Sequence, residues 1–229
     1  MTLVKICGFT RPEDARAAVT AGADWLGLNF WPGSKRHISG ASGRVIAAAA
    51  RQQAAEESRD LALVGIFVDQ PLDEVAAIAG EVGLEWVQVH GGESPETCAA
   101  LAERGVSVGF SVIRALGISG PDDVARLAGF RVCQVVLIDT PSAGRGGSGR
   151  TFDWNLACDA VAQGRELGQR VILAGGLNPD NVADAVVQVR PHGVDVASGV
   201  EVSPGVKDPD RMKRFVERAR AAVRAGVAG

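Results

Sequence analysis

The chain has 229 residues, 46% of them hydrophobic, which is enough for one large domain or two small ones with a buried core. Its formal net charge is −3 and 22% of its residues are charged, so it lacks the basic excess of a general nucleic-acid binder. Tyrosine is absent and aromatic residues total 5%, which disfavours a stacking platform for single strands. The composition excludes a mainly disordered chain, and any anion must be bound at a local site.

The cysteines are spread widely and form no C-x-x-C motif or cluster with histidine; they are Cys7, Cys98, Cys133 and Cys158. A chain of this length needs no disulfide to fold, so we expect free thiols in a reducing compartment and no metal site. The N-terminus lacks a signal-peptide pattern, and no apolar run reaches the roughly 18 residues of a membrane-spanning helix. The expectation is a cytoplasmic protein with no membrane or nucleic-acid partner.

Short β-branched apolar runs alternate with alanine-rich stretches of helical period, and Gly, Pro, Asp or Asn marks each change. The predicted strands are residues 3–6, 25–30, 61–68, 86–90, 107–113, 132–138, 170–173 and 193–196. The predicted helices are residues 11–21, 42–57, 72–82, 95–104, 121–128, 153–166, 179–189 and 209–225. Each strand is therefore followed by a helix.

The eight strand–helix pairs average about 29 residues, close to the length of one βα repeat. Repeated βα units require a parallel sheet, and eight of them favour a closed (β/α)8 barrel that forms a single domain over residues 1–229. An open doubly wound sheet is the alternative. Its G-x-G-x-x-G turn is missing after the first strand, where residues 7–12 read CGFTRP.

Several helix starts carry a capping signal. In Ser94-Pro95, Asn178-Pro179 and Asp208-Pro209 a capping side chain precedes a proline, which predicts that each proline is the first helical residue. Thr10-x-x-Glu13 has the spacing of a capping box at the start of the first helix.

The catalytic groups of a (β/α)8 barrel lie at the carboxyl ends of its strands and in the loops that follow. The predicted strand ends carry Cys7, Asn29, Asp69, His90, Arg114, Asp139, Gly175-Gly176 and Ser198-Gly199. This set contains a thiol, carboxylates, an imidazole and glycine-rich backbone. It is suited to acid–base chemistry on an anion.

Cys7 shares a strand face with Lys5, because side chains two residues apart point the same way. A neighbouring ammonium lowers a thiol pKa and makes the thiolate a usable base or nucleophile. A buried small apolar residue is the alternative interpretation. The other cysteines are interpreted as structural, with Cys133 in a strand and Cys98 and Cys158 in helices.

Asp139 ends an otherwise apolar strand, so its carboxyl is expected to face inward and to be partly desolvated. Desolvation raises a carboxyl pKa and can keep the group protonated as a general acid, although a nearby Lys5 opposes this. An Asp that caps the next loop is the alternative. For Asp69, just before Pro71 and a helix, capping is favoured; His90 is favoured as a hydrogen-bonded strand-end residue over a base.

Three loops at the same end of the barrel indicate ligand contacts. Gly175-Gly176 and Ser198-Gly199 follow strands seven and eight, where barrels often bind phosphate with backbone N–H groups. Arg36 can hold a substrate carboxylate in a bidentate pair, although a solvated basic loop is the simpler interpretation. The glycine-rich stretch with Gly146, Gly147, Ser148 and Gly149 is predicted to be a mobile lid rather than a passive loop.

Taken together and in order, these motifs resemble those of one family, phosphoribosylanthranilate isomerase of tryptophan biosynthesis. The segments are 4–8 (VKICG), 34–36 (SKR), 88–91 (QVHG), 139–140 (DT), 146–154 (GGSGRTFDW), 175–182 (GGLNPDNV) and 194–201 (VDVASGVE). With Lys207-Asp208 they cover nearly the whole chain. Each segment alone is a weak signal, but their common order makes a chance likeness improbable.

The resemblance implies a single (β/α)8 barrel that catalyses a cofactor-free Amadori rearrangement of N-(5-phosphoribosyl)anthranilate. It implies that Cys7 is the general base, that Asp139 is the general acid, and that Arg36 holds the anthranilate carboxylate. The glycine turns would bind the phosphate of this small-molecule substrate, and the protein would be a monomer or a homodimer. Ala174 and Ala197 precede the two turns where a small hydroxyl residue is equally expected, which puts one side-chain hydrogen bond in doubt.

Two rival functions are weighed against this one. A barrel that isomerises a histidine-pathway phosphoribosyl compound would use paired Asp residues, whereas here the first strand ends in Cys7. A catalytically silent barrel that binds a phosphorylated metabolite would not need Cys7, Asp139 and Arg36 together.

Overall fold

Eight parallel strands form a closed barrel in the structure, a computed structural model that describes residues 2–139 and 154–226. They follow one another around the barrel as β1 Leu3–Cys7, β2 Trp25–Asn29, β3 Ala62–Phe67, β4 Trp86–Val89, β5 Ser111–Gly117, β6 Val135–Asp139, β7 Arg170–Ala174 and β8 Gly193–Val196. β1 pairs with β8, with Ile6 opposite Val196, so the sheet closes on itself. The predicted (β/α)8 barrel is confirmed, and the open doubly wound sheet is wrong.

A layer of helices surrounds the barrel: α1 Pro12–Ala21, α2 Gly40–Glu56, α3 Leu72–Val82, α4 Pro95–Val108, α5 Pro121–Ala125, α6 Trp154–Glu166, α7 Val182–Val189 and α8 Pro209–Gly226. The short α5 continues as a 3₁₀ turn, Arg126–Phe130. After β8 a 3₁₀ turn, Ser198–Val200, leads into an antiparallel hairpin of β9 Glu201–Ser203 and β10 Val206–Lys207. No helix within the described ranges is long and apolar enough to cross a membrane.

Strand side chains alternate between two buried layers, one inside the barrel and one between the barrel and the helices. In β6, Val135 and Leu137 point inward, and by the same alternation Asp139 faces the interior at the mouth of the barrel. Lys5 is fully buried inside the barrel, and Cys7 lies two residues further along β1 toward the mouth. The prediction that these two side chains share an interior face is confirmed.

The fifth βα unit differs from the prediction because α4 does not end at Arg104. Gly105 packs so closely on Phe110 that a Cβ there would overlap the Phe110 carbonyl oxygen, so this glycine serves helix packing and does not end the helix. The helix ends instead at Gly109, whose φ of 99° is left-handed. β5 accordingly begins at Ser111 and not at residue 107.

Arg114 consequently lies within β5 and not at a strand end, so its prediction as a mouth residue is wrong. Its side chain faces the helix layer, with the guanidinium 5.1 Å from the centre of the Phe130 ring. Nη1 donates to the Val89 carbonyl at 3.1 Å and to Glu93 at 2.8 Å. Arg114 therefore stabilises the loop after β4 from the side that faces the helix layer.

Two of the predicted helix caps are confirmed. The Ser94 hydroxyl accepts a hydrogen bond from the Thr97 N–H at 3.2 Å at the start of α4. Asp208 Oδ1 accepts from the Arg211 N–H at 3.0 Å at the start of α8. In both cases the following proline is the first helical residue, as predicted.

The other two predicted caps are wrong, because tertiary contacts use their side chains. The Thr10 hydroxyl donates to the Gly205 carbonyl at 2.6 Å in the β9–β10 hairpin, and α1 has no side-chain cap. α7 begins at Val182, since the Asn178 side chain accepts from the Asp180 N–H at 2.7 Å and holds a turn in place of a first helical residue.

The cysteines other than Cys7 lie away from the mouth of the barrel. Cys98 lies in α4 and Cys158 in α6, as predicted. The prediction that Cys133 lies within a strand is wrong: its N–H donates to the Phe130 carbonyl at 2.9 Å and closes a turn before β6. All four cysteines lie in the described part of the chain, and none of them forms a disulfide.

Candidate active site

A cavity of about 280 Å³ opens at the carboxyl ends of the strands. The predicted site residues that line it are Cys7, Asn29, Arg36, His90, Asp139, Gly175, Gly176 and Ser198. Gln88 and Asp195, which were not predicted, also line it. Most of the residues that were selected because they follow a predicted strand therefore lie together in this cavity.

Cys7 lies above a buried ion pair between neighbouring strands. Lys5 Nζ is 3.0 Å from Asp195 Oδ2, and the side chains of Lys5 and Asp195 are 0% and 11% exposed. Burial alone would lower the pKa of Lys5, but Asp195 and Cys7 outweigh burial and the net pKa is raised, so Lys5 is an ammonium. β2 leaves room for the thiol at Gly27, where a Cβ would lie 2.7 Å from Cys7 Sγ.

The expectation that a nearby cation gives Cys7 a lowered pKa is wrong for the free protein. Burial raises the pKa of the Cys7 thiol, and Asp195 raises it further, against the lowering by Lys5, Lys207 and Arg36. The physical reason is that much of the Lys5 charge is balanced by Asp195 at 3.0 Å. Cys7 is therefore a neutral thiol at rest near neutral pH.

Asp139 and His90 meet across the mouth of the cavity. His90 Nε2 lies 3.7 Å from Asp139 Oδ2, and their side chains are 36% and 43% exposed. Burial lowers the pKa of His90 despite the opposing charge of Asp139, which favours a neutral imidazole. His90 thus lines the cavity beside Asp139, directly after β4.

The loop that presents His90 is held by a buried ion pair. Glu93 accepts from Arg114 at 2.8 Å and from the Gly91 N–H at 2.8 Å. Asp69 Oδ1 accepts from the Gly92 N–H at 2.7 Å, while α3 begins after Pro71 without a side-chain cap. The expectation that Asp69 caps the following helix is therefore wrong, because its carboxylate ties the loop after β3 to the loop after β4.

The two glycine turns lie side by side. Gly175 and Gly176 have φ angles of 92° and 64°, in the left-handed region that favours glycine, and both line the cavity together with Ser198. Gly199 has a packing role between the two turns. It packs against the Leu177 carbonyl oxygen so closely that a Cβ would overlap it, so it allows the two turns to approach each other.

Arg36 is held by a buried carboxylate that the sequence analysis did not single out. Its Nε and Nη2 donate to Glu201 Oε1 and Oε2 at 2.8 and 2.6 Å. Lys207 Nζ donates to Glu201 Oε1 at 2.8 Å and to the Cys7 carbonyl at 2.5 Å. Burial alone would raise the pKa of Glu201, but hydrogen bonds from Arg36 and Lys207 outweigh burial, and the pKa is lowered.

Three buried charged residues of the site were not assigned a role from the sequence: Asp195, Glu201 and Lys207. Lys5 was expected beside Cys7, but its ion pair with Asp195 was not. One signal was present: charged residues within short apolar runs, such as Asp195 in GVDV. The predicted lid residues Gly146, Gly147, Ser148 and Gly149 lie outside the described residues. In residues 2–139 and 154–226 no group of three or more His, Cys, Asp or Glu side chains could hold a metal ion.

The barrel and its mouth define the class of protein: a (β/α)8-barrel enzyme with acid–base groups and glycine turns around one cavity. The family model for N-(5'phosphoribosyl)anthranilate (PRA) isomerase matches residues 4–218. The chain therefore belongs to the N-(5'-phosphoribosyl)anthranilate isomerase family and is an isomerase.

Individual relatives agree with this assignment. The chain is 43% identical over 221 residues to the N-(5'-phosphoribosyl)anthranilate isomerase of Geobacter sp. (strain M21), covering 96% of this chain and 98% of that protein. The crystal structure of the isomerase from Thermotoga maritima superposes with a TM-score of 0.82 at 41% identity, covering 96% and 100% of the two chains.

Another solved isomerase, in complex with reduced 1-(o-carboxyphenylamino)-1-deoxyribulose 5-phosphate, has a TM-score of 0.80 at 38% identity and the same coverage. A further structure, with a TM-score of 0.79, 38% identity and again the same coverage, represents monomers generated from the dimeric Thermotoga maritima isomerase.

Proposed function

We propose that the protein converts N-(5'-phosphoribosyl)anthranilate into 1-(2-carboxyphenylamino)-1-deoxyribulose 5-phosphate by an Amadori rearrangement in tryptophan biosynthesis. One observation carries the proposal: a single cavity is lined by the thiol of Cys7, the carboxyl of Asp139, the guanidinium of Arg36 and the glycine turn at Gly175 and Gly176. These groups match the two anionic ends of the substrate and include an acid and a base for the ring-opening and C2-deprotonation steps. The relative solved with a reduced product analogue supports the same substrate class.

In the proposed first half-reaction, Asp139 acts as general acid. It gives its proton to the furanose ring oxygen as the C1–O bond breaks, and the nitrogen lone pair forms the C1=N bond of an iminium ion. The His90 imidazole lies beside the acid, with Nε2 3.7 Å from Asp139 Oδ2. The electron pair of the broken bond remains on the ring oxygen, which becomes a hydroxyl.

In the second half-reaction, Cys7 acts as general base on C2 of the opened sugar. The iminium acidifies the C2–H bond, and the Cys7 thiolate takes that proton to give an enolamine. Gain of a proton at C1 and loss of the C2 hydroxyl proton give the ketone, so the reaction is an isomerisation. It consumes no cofactor and needs no metal. Cys7 is a neutral thiol at rest, so it must first release its proton to water at the open mouth of the cavity, and the positive charge of the iminium favours that release. A thiolate with a raised pKa is a strong base once it has formed.

Arg36 is proposed to bind the anthranilate carboxylate, and the turns at Gly175-Gly176 and Ser198-Gly199 are proposed to bind the phosphate through backbone N–H groups. Contacts at both ends of the substrate would fix the ribosyl carbon atoms between Cys7 and Asp139, so positioning would supply part of the acceleration. We also propose a cytoplasmic location, on the cysteine usage, with either a monomer or a homodimer as the assembly.

The test follows the anthranilate-type fluorescence after freshly generated phosphoribosylanthranilate is mixed with purified protein, without metal or nucleotide. We expect rapid loss for the wild type and a decrease in kcat of at least about a hundredfold for Asp139→Asn and for Cys7→Ala, of the order of one lost acid or base. Wild-type protein that is stabilised by the ligand without turnover would support the silent binding barrel instead. Turnover of the histidine-pathway compound alone would support the other rival.

A further inference from the structure

The β9–β10 hairpin places two buried charges behind Arg36. Glu201 and Lys207 have side chains that are 4% and 0% exposed, and Arg36 lies between them and the cavity at 24% exposure. The Lys207 ammonium also sits 5.5 Å from the centre of the Phe9 ring. We call Arg36, Glu201 and Lys207 the hairpin charge cluster.

Lys207 must be protonated in this arrangement. Its Nζ lies within hydrogen-bond distance of three acceptors: the Cys7 carbonyl at 2.5 Å, the Ala197 carbonyl at 3.2 Å and Glu201 Oε1 at 2.8 Å. A neutral amine has two N–H groups and an ammonium has three, so only the ammonium donates to all three acceptors. Burial lowers the pKa of Lys207, against the raising by the hydrogen bond and charge of Glu201. Because the three acceptors require the ammonium form, Lys207 carries a positive charge.

The charges of the cluster do not cancel. Two cations share one carboxylate, because Glu201 Oε1 accepts from both Arg36 and Lys207. Without Lys207, Arg36 and Glu201 would form a neutral bidentate pair, a poor receptor for an anion. With Lys207, the cluster keeps one positive charge in excess. Arg36 is the member that reaches the cavity, and no acceptor in residues 2–139 or 154–226 hydrogen-bonds its Nη1.

We propose that Lys207 determines specificity for a carboxylate-bearing ligand: it offsets Glu201, so that Arg36 is both held in place and left with an uncompensated positive charge toward the cavity. Lys207 acts through Arg36 and does not touch the ligand, so it is a positioning residue. The inference rests on the proposed function in one respect, that the ligand carries a carboxylate near Arg36. It adds that the carboxylate is recognised by the net charge of three residues, two of them outside the cavity lining.

The test compares two probes that differ only in that carboxylate. They are reduced 1-(o-carboxyphenylamino)-1-deoxyribulose 5-phosphate and its counterpart with a plain phenylamino group. The dissociation constant of the phenylamino probe is divided by that of the carboxylate probe, both measured by titration calorimetry at low ionic strength. A high ratio means that the carboxylate is recognised, and the ratio is independent of phosphate binding because both probes carry the phosphate.

In Lys207→Met we expect this ratio to fall about tenfold, the order of effect of one buried charge at close range, with affinity for the phenylamino probe within about twofold. The KM for phosphoribosylanthranilate should rise more than kcat falls. Lys213→Met is the matched control, since Lys213 is exposed on α8 and its loss changes the total charge equally. The control should keep the wild-type ratio.

A second comparison separates charge from mere support of Arg36. Glu201→Gln and Glu201→Gln/Lys207→Met both lack the carboxylate that holds Arg36, and they differ by the Lys207 charge. If charge sets recognition, the ratio is about tenfold lower in the double variant than in Glu201→Gln. The ratio of the double variant is also higher than that of Lys207→Met. This pair also carries the test if Lys207→Met does not fold.

The inference is overturned if a folded Lys207→Met keeps the wild-type ratio, or if the loss of Lys207 has no effect once Glu201 is replaced. Failure of the proposed function looks different: the wild type then neither turns over phosphoribosylanthranilate nor prefers the carboxylate probe. Wild-type turnover with unchanged ratios in the variants would refute only the role of Lys207.

Discussion

Replacing Lys5 with methionine should suppress ionisation of Cys7. Two residues along a strand separate the Cα atoms of Lys5 and Cys7 by roughly 6.6 Å, and a full charge at that distance contributes about 2.5 kcal/mol at an effective dielectric constant of about 20. The side chains of Lys5 and Cys7 interact more closely than this, so the value is a minimum. Loss of this attraction reduces the thiolate population by at least about 70-fold. Because a more basic thiolate is also more nucleophilic, the rate of alkylation at fixed pH should fall less than the thiolate population, by at least about tenfold.

The assay is alkylation of Cys7 by iodoacetamide at pH 8, followed by mass spectrometry in a Cys158→Ser background, since Cys158 is the other cysteine that is not fully buried. Lys5→Met alone leaves Asp195 without its cation, which costs about 3 to 5 kcal/mol of stability as a broken buried pair. Lys5→Met/Asp195→Asn removes both charges and is the matched variant. It should be more stable than Lys5→Met and should alkylate faster.

The reasoning is refuted if folded Lys5→Met is alkylated at the wild-type rate. The wild type itself provides a further check, because burial raises the pKa of Cys7. Its alkylation rate should therefore still be rising with pH above about 8.5, the ordinary pKa of a thiol. A plateau below that pH would contradict the assignment of a neutral resting thiol.

Two further predictions concern other parts of the site. Gly27→Ala places a Cβ 2.7 Å from Cys7 Sγ and 3.0 Å from Cys7 Cα, so β1 must shift. We expect kcat to fall at least about tenfold while the circular dichroism spectrum stays that of the wild type. Gly117→Ala is the control, because a Cβ there meets nothing within 4 Å. Glu201 has a lowered pKa in the folded protein, so its contribution to stability is complete above the unfolded pKa of about 4.3 and is lost as the pH falls through the folded value. Glu201→Gln should thus be less stable than the wild type by about 3 kcal/mol at pH 7, with the difference shrinking below about pH 4 in urea unfolding; a constant difference would contradict the buried ion pair.

The fold was predictable because each element carries its own local signal. Period-two apolar runs, helical alanine-rich stretches and glycine or proline at the boundaries recur through the chain, and they set the order and number of the elements. Boundaries failed where tertiary packing overrides the local signal. Gly105 is the clear case: it looks like a helix end, but the approach of Phe110 requires a glycine inside α4.

Part of the candidate site was also predictable from the sequence. Asp139 ends an apolar strand and Gly175-Gly176 follows another, so position in the chain suffices to place them at the mouth. The roles of the buried charged residues were not predictable, because they depend on partners far away in the sequence. Arg36 and Glu201 are separated by 165 residues, and Lys207 lies 200 residues from Cys7. Resting charge states, such as the neutral thiol of Cys7, also depend on that packing.

The long reach of Lys207 has a consequence for the order of folding. The ammonium joins the carbonyl at the end of the first strand to the hairpin that follows the last one. The N-terminus is synthesised first, so β1 is complete before the other strands and the hairpin exist, and this contact can form only after all of them have been made. Closing so long a loop is entropically costly and tends to occur late. We expect binding of a carboxylate by Arg36 to appear only at the final stage of folding, together with barrel closure.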